Sequence, residues 1–298
     1  MTGSDAAESC AEPIGAEVLV TAAPVPTSLS DLVADRDSFL ASSWGARSRT
    51  FRCPAALSLL QPAEIWDILE CGSLIAPYFG MRRNDGSASI AGITETRIVQ
   101  TRPMSMYADP AAIREKMAEG GTLALIQPEH WHAPVRKLLA GLRMDLRAEV
   151  RSSAFLSLAG ESRLAARADT AHNFLLQLHG RAGWIVSEDE ADVRYALRPG
   201  EILYVPAGHL HREEFRDSES LHLVITVTQP TAWDLAELAL TSFLHSRPAR
   251  DVAGTHHFMS PAEKVAWLRV ELADFLRGQD LDALLDAAVQ DRQGRGVG

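Results

Sequence analysis

Two short stretches hold most of the side chains able to do chemistry. One runs from Arg167-Ala168-Asp169 into His172, Asn173 and an apolar series ending at His179-Gly180. The other is Gly200-Glu201-Ile202-Leu203-Tyr204-Val205-Pro206-Ala207-Gly208-His209-Leu210-His211. Each reads as strand, turn, strand. An Asp at the mouth of one strand and a His at the start of another, about 42 positions later, converge when the strands roll into a barrel. They then offer a carboxylate and an imidazole to one cation. Arg167, two positions before Asp169, shares its strand face, so the alternative is an ion pair filling that volume.

The surrounding elements decide whether these positions meet. Residues 1–27, rich in Ala, Glu, Pro and Ser, read as a mobile arm with EVLV (17–20) as a candidate edge strand. Ser30 is the expected N-cap of a helix carrying Leu32, Val33, Phe39 and Leu40, with Trp44 and Phe51 as anchors beyond it. Pro62, Asp109-Pro110 and residues 133–146 signal three further helices, and 84–93 reads as loop. From residue 122 come TLALI, AFLSL, NFLLQL, GWIV, ILYV and LHLVITV, short apolar runs between Gly, Pro or charged turns, which predict a β-sandwich or barrel.

After Pro230 the texture is helical again. Ser260-Pro261-Ala262-Glu263 is a capping box, and Val265, Leu268, Leu272 and Phe275 line one face until Gly278. A shorter helix carries Leu281, Leu284, Leu285 and Ala288. This apolar stripe is either core or the seam of a homodimer. The expected organisation is an arm (1–27), a helix-decorated β domain (28–230), a helical segment (231–290) and a disordered tail (291–298).

The two chemistry-bearing stretches resemble the cupin/JmjC family of Fe(II)- and 2-oxoglutarate-dependent oxygenases, which includes ribosomal-protein and other protein hydroxylases. An H-x-D strand followed by an F-x-x-Q-x-x-G-x-K-x-W-like stretch is similar to Asp169 through Trp184. A G-D-x-L-Y-x-P-x-G-x-x-H motif is similar to Gly200 through His211, and a closing S-x-H-L strand with P-x-T-W to Ser220 through Trp233. Phe39 to Trp44 and Gly121-Thr122-Leu123 resemble the helix leading into the barrel and the strand before it, so the likeness spans roughly residues 30–245. It implies a double-stranded β-helix (jelly roll), mainly β with α, flanked by N-terminal helices and a C-terminal helical segment. It further implies Asp169 and His211 as metal ligands, Asn173 beside the cosubstrate, Fe(II) and 2-oxoglutarate as cofactors, and hydroxylation of a peptide or small molecule.

Two positions depart from that pattern. Arg167 stands where the first histidine of H-x-D would be, and a guanidinium stays protonated and has no lone pair for iron. Ala182 stands where a basic residue would hold the distal carboxylate of 2-oxoglutarate. Arg181 beside it faces the other side of the strand unless a bulge shifts the register. His172, His209 and His222 are candidates to complete a metal site with Asp169 and His211, each weighed against an ordinary hydrogen-bonded histidine.

Three functions follow. One is a metal-dependent oxygenase on Asp169, His211 and a substitute ligand. Another is a metal-free pseudo-oxygenase that binds a partner, with the Arg167–Asp169 pair in place of iron. The third is non-oxidative chemistry in which Arg167 holds a carboxylate or phosphate and Asp169 or His211 moves a proton. The departures argue against the standard reaction and favour the second. His130-Trp131-His132 and His256-His257 read as structure at helix starts. Glu188, Asp189, Glu190 and Asp192 read as a solvated turn able to attract a basic peptide.

A formal net charge of -10 argues against general nucleic-acid binding. Cys10, Cys53 and Cys71 show no C-x-x-C spacing, so a reducing cytoplasm is expected, without a zinc or disulfide framework. No run of 18 apolar residues signals a membrane span. Phosphate-loop, dinucleotide, nucleophile-elbow and H-E-x-x-H frames are also missing from the sequence.

Overall fold

The computed structural model describes residues 24–83, 85–161, 165–188 and 191–295; most of the arm, including EVLV, lies outside them. Along the chain run β1 (Arg49–Arg52), β2 (Phe79–Arg82), β3 (Ala88–Ser89), β4 (Thr94–Val99), β5 (Arg102–Ala108), β6 (Thr122–Ile126), β7 (Glu149–Ser157) and β8 (Gly160–Glu161). They are followed by β9 (Arg167–Ala168), β10 (His172–His179), β11 (Ala182–Glu188), β12 (Ala191–Leu197), β13 (Glu201–Val205), β14 (Leu210–Arg216) and β15 (Ser220–Thr228).

An antiparallel sheet ordered β1-β13-β10-β15-β7-β6-β2-β3 faces a smaller one ordered β12-β11-β14-β8, with β9 paired to β14. From β10 onward the chain passes between the two sheets, large, small, small, large, small, large, which is the winding of a double-stranded β-helix. Between them Phe155, Leu175, Leu203 and Val224 of the large sheet meet Ala182, Trp184, Val186 and Leu197 of the small one.

The other face of the large sheet is covered by helices. Val135, Leu138, Leu139 and Leu142 of the helix Ala133–Leu146, and Ile65 and Leu69 of Pro62–Glu70, join Phe174, Leu176, Leu223 and Ile225 in one buried cluster. A strand buried on both faces needs apolar residues at successive positions. That is why NFLLQL and LHLVITV read as continuous runs and not as alternation.

The helices at Pro62, Pro110, Ala133 and Pro261 start where the sequence signals them; Asp109 and Ser260 accept backbone N–H bonds as caps, while Gln61 and His132 make no side-chain cap bond and the first turn carries a proline instead. The helix expected from Ser30 divides in two. Ser28 caps Leu29–Leu32 in a capping box with Asp31, and Asp35, in extended backbone, caps a second helix, Arg36–Ser42. Two local oxygen acceptors competing for backbone N–H groups end the first helix after a single turn. The last helix, Leu281–Arg295, continues past residue 291, because Arg292 bonds Asp234 (2.9 Å) and approaches Glu149 (3.6 Å). A helix Ala232–Leu244, capped by Thr231, opens the helical segment expected after Pro230, while the β4–β5 hairpin is an element the apolar pattern did not mark. No described helix is long and apolar enough to cross a membrane.

Candidate functional site

The site is built at the junction of β9, β10 and β14. β9 lies antiparallel to β14 with His211 directly opposite Arg167, so their side chains share one face of the sheet. Asp169 follows β9 in the same direction, and its carbonyl accepts the Gly208 N–H at 2.8 Å. That bond ties the Asp169 backbone to the turn ahead of His211. Gly208 adopts φ +83°, a left-handed conformation that glycine takes without strain.

These constraints bring the side chains together. Arg167 Nε lies 3.4 Å from Asp169 Oδ1, His211 Nε2 lies 3.7 Å from Asp169 Oδ2, and Asn173 Nδ2 donates to the latter oxygen at 2.8 Å. Asn173 is held in turn by Thr226, whose hydroxyl donates to its Oδ1 at 3.0 Å. The Arg167 guanidinium also reaches under the β2–β3 turn, since a Cβ on Gly86 would stand 3.6 Å from it.

His211 is 3% exposed, and burial pushes its imidazole below the usual histidine range against the pull of the His209 carbonyl and Asp169. The ring is therefore neutral at pH 7. Its Nδ1 contacts the His209 carbonyl at 3.0 Å, so that nitrogen carries the proton and Nε2 presents a lone pair without a partner. Two oxygen and nitrogen lone pairs thus face one another, with a guanidinium alongside. A three-ligand metal centre needs one more donor. Among the described residues no third His, Cys, Asp or Glu joins them, and Arg167 has nothing to donate to a cation. The residues present do not fit the family's iron site.

The candidate substitutes lie elsewhere. His172 faces the helical side, where its Nδ1 meets the Tyr204 hydroxyl (2.9 Å) and the Ala207 N–H (3.2 Å) and its ring stacks on Trp44. His209 Nδ1 is 3.5 Å from the Ala207 carbonyl. His222 is buried deeper in the barrel, between Phe155 and Trp184. Arg181 does not rescue the pocket: its Nη1 pairs with Asp217 at 3.2 Å on the surface. A bulge between Gly183 and Trp184 does shift the β11–β14 register, but it lies beyond Arg181. Ala182 is buried and pairs in register with Arg216.

Three charged side chains that the motifs did not reveal share the barrel interior. Glu213 and Arg216 follow His211 on the inner face of β14, with Arg216 Nε 3.9 Å from Glu213 Oε1 and Nη1 bonded to Thr122 at 3.0 Å. Arg82, from the end of β2, lies 4.3 Å from the centre of the Phe155 ring. The sequence carried a partial signal for the first two, as charged residues two and five places beyond His211 in a strand. It carried none for Arg82. His130 and His132 are structural; His132 Nε2 meets Glu64 at 2.8 Å at the start of the Ala133–Leu146 helix.

Comparison with known proteins shows what this chain is similar to. Residues 133–235 match the JmjC domain model. Over 150 residues the chain is 28% identical to a bifunctional lysine-specific demethylase and histidyl-hydroxylase NO66 of Branchiostoma floridae, covering 49% of this chain and 24% of that protein. It is 29% identical to ribosomal oxygenase 1 of Homo sapiens over 42% of this chain and 23% of the relative. The chain thus spans about a quarter of the length of the curated relatives it matches. Among solved structures, the ribosomal oxygenase YcfD of Escherichia coli superposes with a TM-score of 0.50 at 15% identity, over 84% of this chain and 68% of that one, which is a likeness of fold.

Proposed function

We propose that this chain, which carries a JmjC domain over residues 133–235, is a pseudo-oxygenase: a jelly-roll binding module that takes up a peptide or small molecule without iron. One observation carries the reading. The Arg167 guanidinium lies against Asp169 at 3.4 Å, where the family pattern has a metal-binding histidine. A fixed cation on the metal carboxylate repels a second cation and leaves only Asp169 and His211 as donors, too few to hold iron against water.

Anaerobic titration with Fe(II) or Co(II), with elemental analysis of the purified chain, tests this directly. The expected result is no stoichiometric metal, no new absorbance and no change in Tm. Arg167→His restores a third donor and should gain metal binding with a raised Tm. Stoichiometric metal in the parent chain overturns the proposal.

A second reading is favoured by one specific feature, the partnerless Nε2 lone pair of His211 facing Asp169. It makes the chain an Fe(II)- and 2-oxoglutarate-dependent hydroxylase on a two-residue site, as the names of its relatives suggest, and it requires a Tm response to iron plus 2-oxoglutarate. A non-oxidative enzyme using Arg167 and Asp169 stays compatible with the same ion pair. The helix Pro261–Arg277 buries no residue and exposes Val265, Leu268, Val270 and Leu276, which supports a homodimer through the C-terminal helices. The free thiols of Cys53 and Cys71 support a reducing compartment such as the cytoplasm.

A further inference from the structure

β1 is the outermost strand of the large sheet and, among the described residues, pairs only with β13. Just past its end the Cys53 N–H donates to the Gly200 carbonyl at 2.7 Å. Antiparallel alternation therefore turns the N–H and C=O groups of Arg49, Phe51 and Cys53 toward β13, and those of Ser48, Thr50 and Arg52 outward. At the first outward position the chain supplies its own acid: a carboxylate oxygen of Glu188 takes the Ser48 N–H at 2.5 Å and the Ser48 hydroxyl as well. At Thr50 and Arg52 no described backbone group plays that part, and both residues are exposed.

The charged side chains on this edge are of one sign. Arg47, Arg49 and Arg52 are all exposed, and among the described residues none has a carboxylate within 4.0 Å. Arg49 lies over the Phe51 ring at 5.3 Å. Glu201 stands opposite Arg52 in register, but its carboxylate accepts the Arg198 N–H at 2.9 Å. The sequence has no acidic residue between Asp37 and Glu64, although the whole chain carries a net charge of -10.

Charge on an edge strand guards it against unwanted pairing. Here it selects by sign. Guanidiniums at 47, 49 and 52 repel a second copy of the same strand and attract an acidic one. Arg49 and Arg52 project from opposite faces of β1, and an extended peptide with carboxylates three residues apart presents them on opposite faces too. One acidic strand can thus bond the outward groups of Thr50 and Arg52 and meet both guanidiniums. A nucleic acid would answer the guanidiniums alone, since it has no alternating N–H and C=O groups to lay along a strand edge.

We infer that the open edge of β1 docks an acidic peptide as an added strand, with Thr50 and Arg52 giving the backbone bonds and Arg47, Arg49 and Arg52 the charge. β13 separates this edge from β10 and its Asn173, so the inference goes beyond the metal-free reading of the Arg167–Asp169 site and does not depend on it.

The test uses the full chain in chelator and follows, by fluorescence anisotropy, a dye-labelled, blocked peptide Thr-Glu-Val-Thr-Glu-Val-Glu-Thr. Its glutamates fall opposite Arg52, Arg49 and Arg47 in an antiparallel pairing. Saturable binding that weakens as sodium chloride is raised is expected. Arg49→Gln with Arg52→Gln should weaken it about five-fold or more, and the surface control Arg181→Gln should leave it unchanged. The same peptide N-methylated at its middle Thr keeps every charge but loses an edge bond, and should bind about ten-fold more weakly. If the double variant does not fold, the N-methylated peptide against the parent chain carries the comparison. No binding, equal binding by the double variant, or equal binding of the N-methylated peptide overturns the inference. So does tighter binding of a uridine oligonucleotide than of the peptide, or a light-scattering mass that the double variant changes, which would assign the edge to nucleic acid or to a second copy. Metal content, read separately, decides the metal-free reading and leaves this one untouched.

Discussion

The imidazole of His222 gives a sharp pH prediction. It is completely enclosed, and burial, helped by the guanidiniums of Arg82, Arg216 and Arg167, pushes its pKa from the ordinary 6.5 down to about 3. The unfolded chain therefore binds a proton at this residue in a window, between 6.5 and about 3, where the folded chain does not. Stability from this group is fully present above 6.5 and is lost as pH falls through the window. At pH 5 the folded imidazole is still neutral, so the loss relative to pH 7 is set by the unfolded pKa alone and comes to about 2 kcal/mol. Urea unfolding of the parent and of His222→Leu, each at pH 7 and pH 5, reads the difference directly. His172 and His211, also held below the ordinary value by burial, titrate in both proteins and cancel. The variant should lose about 2 kcal/mol less than the parent between the two pH values. Losses equal to within about 0.5 kcal/mol would refute the reasoning, because they would mean that the folded ring accepts its proton as readily as the unfolded one.

Other perturbations probe the frame around the site. Gly183→Ala puts a Cβ 2.2 Å from the Phe215 ring across β11 and β14, and overpacking of this kind costs about 1–3 kcal/mol; the urea midpoint should fall and recover in Gly183→Ala/Phe215→Leu. Leu139→Ala opens a cavity under the helix covering the large sheet and should cost about 2–5 kcal/mol in equilibrium unfolding. Asp234→Ala removes the reciprocal half of the Thr231 cap and a partner of Arg292. It should cost about 1–2 kcal/mol and speed amide exchange in the helix Leu281–Arg295 before the barrel responds. Val265→Glu with Leu268→Glu on the exposed helix should lower the mass measured by light scattering to that of one chain while leaving the pH 7 circular dichroism unchanged.

What the sequence revealed of the fold follows from which faces are buried. Strands of the large sheet between two apolar layers announce themselves as unbroken runs, and capped helices such as Pro261–Arg277 by Ser260 and Glu263. β12 and β14 were harder to see because one face of each meets solvent and the inner face of β14 is charged, with His211, Glu213 and Arg216 where a packed sheet would put leucine. That oddity is itself chemical information. His211 and Glu213 alternate as a half-buried strand requires and point to a polar interior from the sequence alone, whereas Arg216, three residues on, joins that face only through the bulge opposite Gly183 and Trp184. The pairing of Arg167 with Asp169 could be anticipated because both lie on one short strand and its continuation. Arg82 could not, because β2 joins this interior only through β6 and β7, and its place depends on closure of the whole sheet. The distinction matters for function. A site that had merely lost a ligand would be expected to fill with apolar side chains, since a buried ion pair is no more stable than well-packed hydrophobic groups. This barrel instead holds a partnered Asp169, a neutral His211 with an idle lone pair, and the guanidinium of Arg82 under the influence of Glu213 and Asp169. The polar side chains of this interior are engaged chiefly with one another, the guanidinium at 167 lying against the carboxylate at 169 and Asn173 holding its other oxygen.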